Sequence, residues 1–556
     1  MTDFESAKSS LSAPVETESG LVSGLVLANK TRAFLGVPYA APPVGPLRWR
    51  PPQPAVPWTG VRSATSLPPA AFQFAPPPNS IYYGGETSFS EDCLYLNIYT
   101  GPEEDSTKNT ALRPVLVWFH FGAFQFGSVS NPIYSGEHLA SSAGLTVVTV
   151  NHRLGRLGFL AHPELTAESP HGTSGNYGIQ DQVAALAWVS RNVARFGGDP
   201  ANVTIGGASA GGCSVHILRA SPLARGLFSK AVVESGPGVA PLLPGDDAHG
   251  HVAAFTGLAA AEKAGLELQS HLGAKSIDEM RALHPAAIAG VHLPRSEGIW
   301  RAALWPAART SLSLFDTANP IVDGYVLPES PLAALLKGRA ADVPLLAGNV
   351  GNEASGMPFL ASVEDFETYV RETFKDQAED ALRLYPAEAD DEGEGVRWAS
   401  SQLLADHVFT WSTWTAARVQ SQKFKSPAWY FRFERAPPIP QEADLVENRK
   451  SRARAFHCAV VPYAFGTLDA FKWNWTDADR ELSQSISDAL ARFVRSGRPG
   501  DEREDEDNFW PALGSEGSLI KVWNAGSSRL EAPGLRLASL TAFWDRYYGV
   551  QGQIDV

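Results

Sequence analysis

Residues 203–212 read VTIGGASAGG, a β-branched run followed at once by a serine among small residues. β-branched residues favour strands, and Gly207 and Gly211, two positions to either side of Ser209, leave room for a sharp turn into a helix. The pattern predicts that this turn presents the Ser209 hydroxyl above the sheet, with the amides of the next helix directed towards it. A small-residue turn that merely packs a helix on a sheet is the alternative interpretation.

Histidines in the C-terminal third provide candidates for a base that would activate Ser209. A serine hydroxyl attacks carbonyl carbons when a histidine accepts its proton and an acid orients that histidine. Hydrolases with a serine at such a turn carry the three groups in the chain order serine, acid, histidine. His407 lies in a stretch with apolar residues at helical spacing, which is typical of a helix position near the core. His457 follows the polar run at 447–454, and a loop there favours His457 as the base.

Two carboxylates are candidates for the acid. Glu353 follows the apolar run at 343–350, which predicts a buried parallel strand. Ligands of open α/β sheets bind at the carboxyl ends of strands, so Glu353 is the favoured acid. Asp323 also ends a short apolar run, but it precedes a glycine, and a turn aspartate is the favoured interpretation there.

A strand predicted over 114–120 leads into small residues that can stabilise an oxyanion. We expect the backbone N–H groups of Gly122, Ala123 and Ala210 to donate to the substrate oxygen as it gains negative charge in the transition state. Ala123 can donate its N–H if its φ is negative.

Further short motifs are spread along most of the chain. They are AFLGVPYA at 33–40, PPVG at 42–45, SEDCLYLN at 90–97, NYG at 176–178, DQ at 181–182, FGGDP at 196–200, NE at 352–353, FH at 456–457 and FG at 465–466. Together with the Ser209 segment, they resemble the signatures of the type-B carboxylesterase/lipase family, which includes cholinesterases and fungal lipases. The resemblance implies an α/β-hydrolase fold. In that fold a large mixed, mostly parallel sheet is flanked by helices, and helical insertions form a gorge or lid.

The same resemblance implies roles for the candidate residues. It implies that Ser209, Glu353 and His457 form a catalytic triad, with the three oxyanion donors named above. It also implies hydrolysis of a carboxylic ester through an acyl-enzyme intermediate, without a cofactor or a metal. The alternative hypotheses are a lactonase or acyltransferase acting on a natural product, and a non-catalytic, cholinesterase-like binding protein.

Two departures from the family pattern bear on the substrate. Ala208 stands where cholinesterases and many relatives carry a glutamate, so a carboxylate close to the nucleophile is missing and a cationic choline ester is disfavoured. Phe121 replaces a common glycine. We therefore expect Phe121 and Ala208 to line a substrate pocket that takes a neutral, apolar ester.

Helices are predicted at about 253–287, 365–404 and 482–496. Helices inserted after the Ser209 segment would form the walls or lid of the gorge. Four tryptophans are candidates for lining this gorge, with core packing as the alternative for each: Trp300, Trp305, Trp411 and Trp414.

Length and composition bear on domain organisation and partners. The 556 residues, of which 44% are hydrophobic and 19% charged, can bury a large core. The spread of the motifs predicts a flexible tail at 1–18 and a single catalytic domain at 19–556. A net charge of −14 disfavours nucleic acid and anionic membranes as partners. No apolar run is long enough to span a bilayer. The predicted partner is a small-molecule ester.

The three cysteines bear on the cellular compartment. Secreted members of the family pair a cysteine in the 90–97 motif with one upstream, yet residues 1–92 contain none. No cysteine lies between Cys213 and Cys458, so neither of the two family disulfides can form. Unpaired thiols and a polar N-terminal segment predict a cytoplasmic protein. Three Asn-X-Thr sequons, at 29, 202 and 474, favour secretion instead.

Overall fold

The strands form one large sheet and two small ones. The computed structural model describes residues 10–73, 75–102, 111–242, 255–290, 319–355, 360, 362–389, 393–447, 453–500, 509–514 and 518–554. The strands of these residues are β1 (Ser10–Leu11), β2 (Val15–Thr17), β3 (Gly20–Ser23), β4 (Leu25–Val26), β5 (Arg32–Pro38), β6 (Val61–Ser63), β7 (Ala70–Ala71), β8 (Phe89–Ser90), β9 (Tyr95–Thr100), β10 (Arg113–Phe119), β11 (Thr146–Val150), β12 (Gly198–Ala208), β13 (Lys230–Glu234), β14 (Leu345–Val350), β15 (Ala428–Phe433), β16 (Ile520–Trp523) and β17 (Arg529–Glu531).

The large sheet is mixed and mostly parallel, as predicted. Within the described residues it has 12 strands in the order β1-β4-β5-β9-β11-β10-β12-β13-β14-β15-β16-β17. From β11 to β16 every neighbouring pair is parallel, and the pairs towards both edges are antiparallel. Every residue of β11 and of β14 is buried, as expected of parallel strands that are covered on both faces.

Helices flank this sheet. They are α1 (Glu137–Ser142), α2 (Gly155–Phe159), α3 (Pro163–Glu168), α4 (Tyr177–Asn192), α5 (Ala210–Ala220), α6 (Leu258–His271), α7 (Ile277–Ala282), α8 (Pro285–Ala289), α9 (Pro331–Leu336), α10 (Val363–Phe374), α11 (Ala378–Leu384), α12 (Glu394–Ala405), α13 (Trp411–Lys423), α14 (Val461–Phe465), α15 (Asp477–Ser496) and α16 (Leu535–Tyr547). A π-helical turn at Asp406–Thr410 connects α12 to α13. Of the helices in the described ranges, none combines the length and apolar character needed to cross a membrane.

The core lies on both faces of the sheet. Because side chains alternate along a strand, β10 contributes Val115 and Val117 to a cluster that also contains residues of α4 and α5. Leu116 and Trp118 point to the opposite cluster, which contains residues of α15. The sheet is therefore the middle layer of three, and the carboxyl ends of its parallel strands are left to carry a site.

Most of the predicted elements are confirmed. The predicted strands at 114–120 and 343–350 correspond to β10 and β14, and residues 203–205 lie in β12. The segment at 253–287 contains α6 and α7 and the start of α8, and the segment at 365–404 comprises α10, α11 and α12. The last predicted helix begins earlier than expected, at Asp477, because Thr476 and Asp479 form a capping box there.

The predicted tail at 1–18 contains two strands. β2 pairs antiparallel with β3, and the Glu18 carboxylate accepts a hydrogen bond from the Arg191 guanidinium at 2.6 Å. Residues 1–9 lie outside the described ranges. The division into a tail and a single catalytic domain stays a prediction.

Candidate active site

Ser209 lies at the junction of a strand and a helix. β12 ends at Ala208 and α5 begins at Ala210, and Ser209 between them has φ 55° and ψ −119°. A residue with a side chain is strained in this conformation, which persists only where the surroundings hold it. The Ser209 N–H donates to the Glu234 carbonyl at 2.9 Å, so the turn is held by strand β13.

The two flanking glycines make the turn possible, as the sequence predicts. A Cβ added at Gly207 would lie 2.4 Å from the Gly211 carbonyl carbon. A Cβ added at Gly211 would lie 2.1 Å from the Phe119 carbonyl oxygen. Both distances are far below van der Waals contact, so the backbones of β12, α5 and β10 approach as closely as glycine allows.

Glu353 and His457 form a buried hydrogen-bonded pair. The Glu353 Oε2 lies 2.6 Å from the His457 Nδ1. The Glu353 Oε1 accepts from the Val350 N–H at 2.9 Å and from the Asn349 Nδ2 at 2.7 Å. These three contacts hold the carboxylate in one orientation. A carboxylate at Nδ1 favours the imidazole tautomer that leaves Nε2 as a proton acceptor.

The loops that carry these two residues are held side by side. Asn352 and Phe456 form a parallel bridge, in which the Asn352 N–H donates to the Ala455 carbonyl at 2.8 Å. The His457 N–H donates to the Ser355 Oγ at 2.9 Å. The pair is separated by 104 positions in the chain, so this bridging between loops brings acid and base together.

The serine and the acid–histidine pair lie at the carboxyl ends of the parallel strands. In the strand register, Ala208 lies opposite Glu234 of β13, which in turn lies opposite Gly348 of β14. Ala208, next to Ser209, and Gly348, near the end of the strand that leads to Glu353, are therefore about 10 Å apart, which is two strand spacings.

The His457 Nε2 is buried and has no hydrogen-bond partner among the described residues. Within those residues no hydrogen bond joins it to the Ser209 hydroxyl, so proton transfer between the two stays a prediction. In enzymes without a bound ligand, catalytic hydrogen bonds are often long and tighten only when substrate binds.

An aromatic ring packs against the imidazole. The ring centroids of Phe409 and His457 lie 4.3 Å apart at an interplanar angle of 42°. Phe409 belongs to the π-helical turn at 406–410, and such turns often occur at functional sites. Sequence reasoning missed this contact, because it joins two distant segments of the chain and no local pattern records it.

The loop after β10 has an unusual backbone. Gly122, Ala123 and Phe124 all have positive φ, at 123°, 52° and 58°. The Gly122 carbonyl accepts from the N–H groups of Gln125 and Phe126, at 2.8 and 3.0 Å, which closes the loop. A Cβ at Gly122 would lie 1.9 Å from the Phe126 carbonyl oxygen, so this position requires glycine.

The backbone surroundings of the three predicted oxyanion donors differ. Within the described part of the chain, the N–H groups of Gly122 and Ala123 have no hydrogen-bond partner. The Ala210 N–H belongs to the first turn of α5, where N–H groups have no partner within the helix. The φ of Ala123 is +52°, so the condition of a negative φ is not met. The donor role of Ala123 stays a prediction, as do those of Gly122 and Ala210.

The two predicted pocket residues are buried. The Phe121 ring packs against Tyr82 and Tyr134, at centroid distances of 5.9 and 5.7 Å, and its N–H donates to the Tyr134 hydroxyl. Ala208 is fully buried in the same cluster. Both side chains thus belong to the buried cluster that also contains residues of α15. Whether a bound acyl group reaches them stays a prediction.

The alternative acid and base take structural roles. The His407 ring stacks on Trp544 at 4.7 Å, which fits the predicted helix position near the core. Asp323 accepts from the Tyr325 and Leu327 N–H groups and from Thr173, as expected of a turn aspartate.

Two of the four candidate gorge tryptophans are core residues. The indole N–H of Trp411 donates to Asp545 and that of Trp414 donates to Thr541, and both side chains are buried. Trp300 and Trp305 lie outside the described residues. The gorge or lid therefore stays a prediction.

A buried carboxyl group lies on the strand next to the residue that precedes the nucleophile. Glu234 of β13 is paired in register with Ala208, and it is buried. Its Oε2 has no hydrogen-bond partner among the described residues, and burial raises the pKa of Glu234 to about 8. The expectation that no carboxylate lies close to Ser209 concerned position 208, which is Ala208, and it stays a prediction. Strand pairing supplies Glu234 from another part of the chain.

The cysteines are small buried residues. Cys93, Cys213 and Cys458 are free and buried. Burial raises the pKa of the Cys213 thiol to about 12, and it also raises the pKa values of Cys93 and Cys458. A thiol that stays protonated is a poor nucleophile, so Ser209 is the candidate nucleophile of this edge.

These features define a serine hydrolase of the α/β-hydrolase fold. Residues 12–529 match the model of the carboxylesterase family, and the chain belongs to this family. It is 33% identical to a fumonisin B1 esterase of Sphingopyxis macrogoltabida over 520 residues, which cover 91% of this chain and 85% of that protein.

Other relatives agree with this assignment. The chain is 33% identical to a para-nitrobenzyl esterase of Bacillus subtilis (strain 168), with 90% of this chain and 93% of that protein covered. A solved structure of a PNB esterase superposes with a TM-score of 0.75 at 30% identity, covering 95% of this chain and 99% of that one. The protein is therefore a carboxylesterase, a serine hydrolase that acts on carboxylic esters.

Proposed function

We propose that Ser209, Glu353 and His457 form the catalytic triad of this carboxylesterase. The observation that carries the proposal is the buried Glu353–His457 pair, with its 2.6 Å contact, at the sheet edge where Ser209 lies on its strained turn. The His457 Nε2 accepts the proton of Ser209 as the Ser209 Oγ bonds to the ester carbonyl carbon. The Glu353 carboxylate stabilises the imidazolium that forms.

The N–H groups of Gly122 and Ala210 donate to the oxyanion of the tetrahedral intermediate, and the Ala123 N–H is the third proposed donor despite its positive φ. When the intermediate collapses, the alcohol leaves with the proton from His457 and an acyl-Ser209 ester remains. Water then attacks this ester with His457 as the base, and the carboxylic acid is released as Ser209 regains its proton.

The triad is tested by measuring how fast the wild type and single variants hydrolyse p-nitrophenyl esters of short and medium acyl chains. We expect Ser209→Ala, Glu353→Gln and His457→Ala to lose most of the wild-type kcat, with Ser209→Ala and His457→Ala falling by at least about 10³-fold. His407→Ala is the matched control, because this half-buried histidine stacks on Trp544 rather than on Glu353 or His457. Wild-type turnover by Ser209→Ala would overturn the proposal.

A neutral, apolar, small-molecule ester is the proposed substrate class. The support is that Phe409 covers the imidazole and that Phe121 and Ala208 are apolar. The names of the relatives, which include esterases for fumonisin B1 and para-nitrobenzyl esters, are consistent with small esters.

A matched pair of substrates tests this preference. Acetylcholine and 3,3-dimethylbutyl acetate have nearly the same shape and differ in charge, so we expect the neutral ester to have the higher kcat/KM. Equal values, or a preference for the cation, would overturn the proposed class. Phe121→Gly tests whether Phe121 lines the part of the pocket that binds the acyl group. If it does, we expect the variant to prefer a different acyl-chain length from the wild type.

We also propose a cytoplasmic location. The support is that all three thiols are buried and free, which suits a reducing compartment. Fractionation of the source cells, followed by immunoblotting, is the test. Recovery of the enzyme from an extracytoplasmic fraction would overturn this proposal.

A further inference from the structure

Asn349 is a polar residue inside a buried strand. β14 has the sequence LLAGNV, and all six of its residues are buried, with Asn349 2% exposed. An amide in such a place destabilises the fold unless both of its ends are hydrogen-bonded. Both ends of this amide have partners.

The partners of Asn349 connect the triad acid to a neighbouring strand. The Tyr430 hydroxyl, on β15, donates to the Asn349 Oδ1 at 2.6 Å. The Asn349 Nδ2 donates to the Glu353 Oε1 at 2.7 Å, and the Glu353 Oε2 lies 2.6 Å from the His457 Nδ1. Three short hydrogen bonds thus connect a buried phenol to the imidazole of the base.

The Glu353 carboxylate determines which atoms donate and which accept along this series of hydrogen bonds. An ionised carboxylate only accepts, so the atom of Asn349 that faces Glu353 must be the NH₂ group. The remaining carbonyl oxygen then requires a donor, which the Tyr430 hydroxyl provides. Burial, together with the charge of Glu353, raises the pKa of Tyr430 well above its ordinary value, so this hydroxyl keeps its proton.

We propose that Asn349 and Tyr430 are positioning residues for ester hydrolysis. They hold the Glu353 carboxylate so that its Oε1 is hydrogen-bonded to groups of β14 and its Oε2 is left to bond His457. This inference rests on the proposed triad. With Oε1 held by Asn349 and the Val350 N–H, rotation of the carboxylate is prevented and Oε2 stays in line with Nδ1. The imidazole is thereby kept in the orientation that directs Nε2 towards Ser209.

The first test measures kcat and KM separately for Asn349→Leu and Tyr430→Phe. For Asn349→Leu we expect a kcat that is about 10-fold to 100-fold lower, which corresponds to one lost hydrogen bond to a charged group. For Tyr430→Phe, which loses a bond to a neutral amide, we expect about 2-fold to 10-fold. In both variants KM should stay within about twofold of wild type, because neither side chain is proposed to contact substrate.

Thr100→Val is the matched control. Thr100 is also a buried polar residue of a strand, and its hydroxyl bonds to Thr146 and to the Phe196 carbonyl rather than to the triad. It therefore reports what the loss of a buried hydrogen bond does to the folded protein alone. We expect its kcat per folded enzyme to equal that of wild type, with a lower melting temperature.

Asn349→Asp distinguishes positioning from packing by its pH profile. When protonated, the introduced carboxyl group can donate to the Glu353 Oε1, and when ionised it repels that carboxylate. The charged groups that face it are Glu353, which Asn349 contacts directly, and Arg432 of β15 and Asp406 of the π-helical turn, which act on the adjoining Tyr430. We expect the ratio of the Asn349→Asp kcat to the wild-type kcat to fall as pH rises, whereas the ratio for Asn349→Leu stays constant.

The outcomes separate this inference from the proposed function. If Ser209→Ala keeps wild-type activity, the triad itself is wrong. If Ser209→Ala is inactive but Asn349→Leu matches the Thr100→Val control in kcat, the inference is overturned while the triad stands. Should Asn349→Leu fail to fold, Tyr430→Phe and the Asn349→Asp pH profile decide: a wild-type kcat in Tyr430→Phe, or a flat kcat ratio in Asn349→Asp, overturns it.

Discussion

Replacing the buried acid Glu234 with glutamine should stabilise the protein in a pH-dependent way. Glu234 ends β13 and is 3% exposed. Burial raises the pKa of this carboxyl from its ordinary 4.5 to about 8. At neutral pH it is therefore a neutral acid in the folded protein and a carboxylate in the unfolded chain.

The sign and size of the effect follow from proton linkage. Below pH 4.5 both states hold the proton, and the raised pKa changes nothing. Between pH 4.5 and about 8 only the folded state holds it, so the free energy of unfolding falls by ~1.4 kcal/mol for each pH unit. The loss amounts to ~3 kcal/mol at neutral pH and levels off at ~5 kcal/mol once both states are ionised.

Glu234→Gln removes this loss, because glutamine has nearly the same shape and no proton to release. We expect the variant to match wild type near pH 4.5 and to exceed it by ~3 kcal/mol at neutral pH. Urea unfolding of both proteins at several pH values from 5 to 8 measures the difference. Glu372→Gln, on the exposed side of α10, is the control and should show almost no difference at any pH. A gap between wild type and Glu234→Gln that stays the same at every pH would refute the reasoning.

Two further substitutions test how the site is supported. Gly211→Ala places a Cβ 2.1 Å from the Phe119 carbonyl oxygen, so we expect a large loss of active sites when they are titrated with a serine-reactive phosphonate. Gly257→Ala, whose Cβ would meet no atom of the described residues closer than 4.0 Å, should titrate fully, and full titration of both variants would contradict the account of the turn. Asp181→Asn breaks the buried ion pair with Arg153, whose atoms lie 2.7 Å apart, and should destabilise the fold by ~3–5 kcal/mol. A melting temperature equal to that of wild type would contradict this second prediction.

The sequence predicted most of the candidate site, because much of its chemistry depends on short segments. The choice of Glu353 over Asp323 required only the buried run before Glu353 and the glycine after Asp323, and the structure brings Glu353 to His457 and leaves Asp323 in a turn. Phe409 and Glu234 were missed for a common reason. Each reaches the site through a contact between segments that no local pattern records.

Residues close together in the chain determined the turn at Ser209. Gly207 and Gly211 are required there because any Cβ at either position collides with backbone, and that steric rule can be read directly from VTIGGASAGG. The apolar runs likewise determined the buried parallel strands that lead to the site.

Only the tertiary structure decided which groups meet at the carboxyl ends of those strands. The Glu353–His457 pair depends on a bridge between two loops, and the contact of Tyr430 with Asn349 depends on the pairing of β14 with β15. The pKa of Glu234 is raised because packing removes its carboxyl from water. Burial and hydrogen-bond partners depend on which distant segments come together, and for that reason they could not be obtained from any single stretch of the sequence.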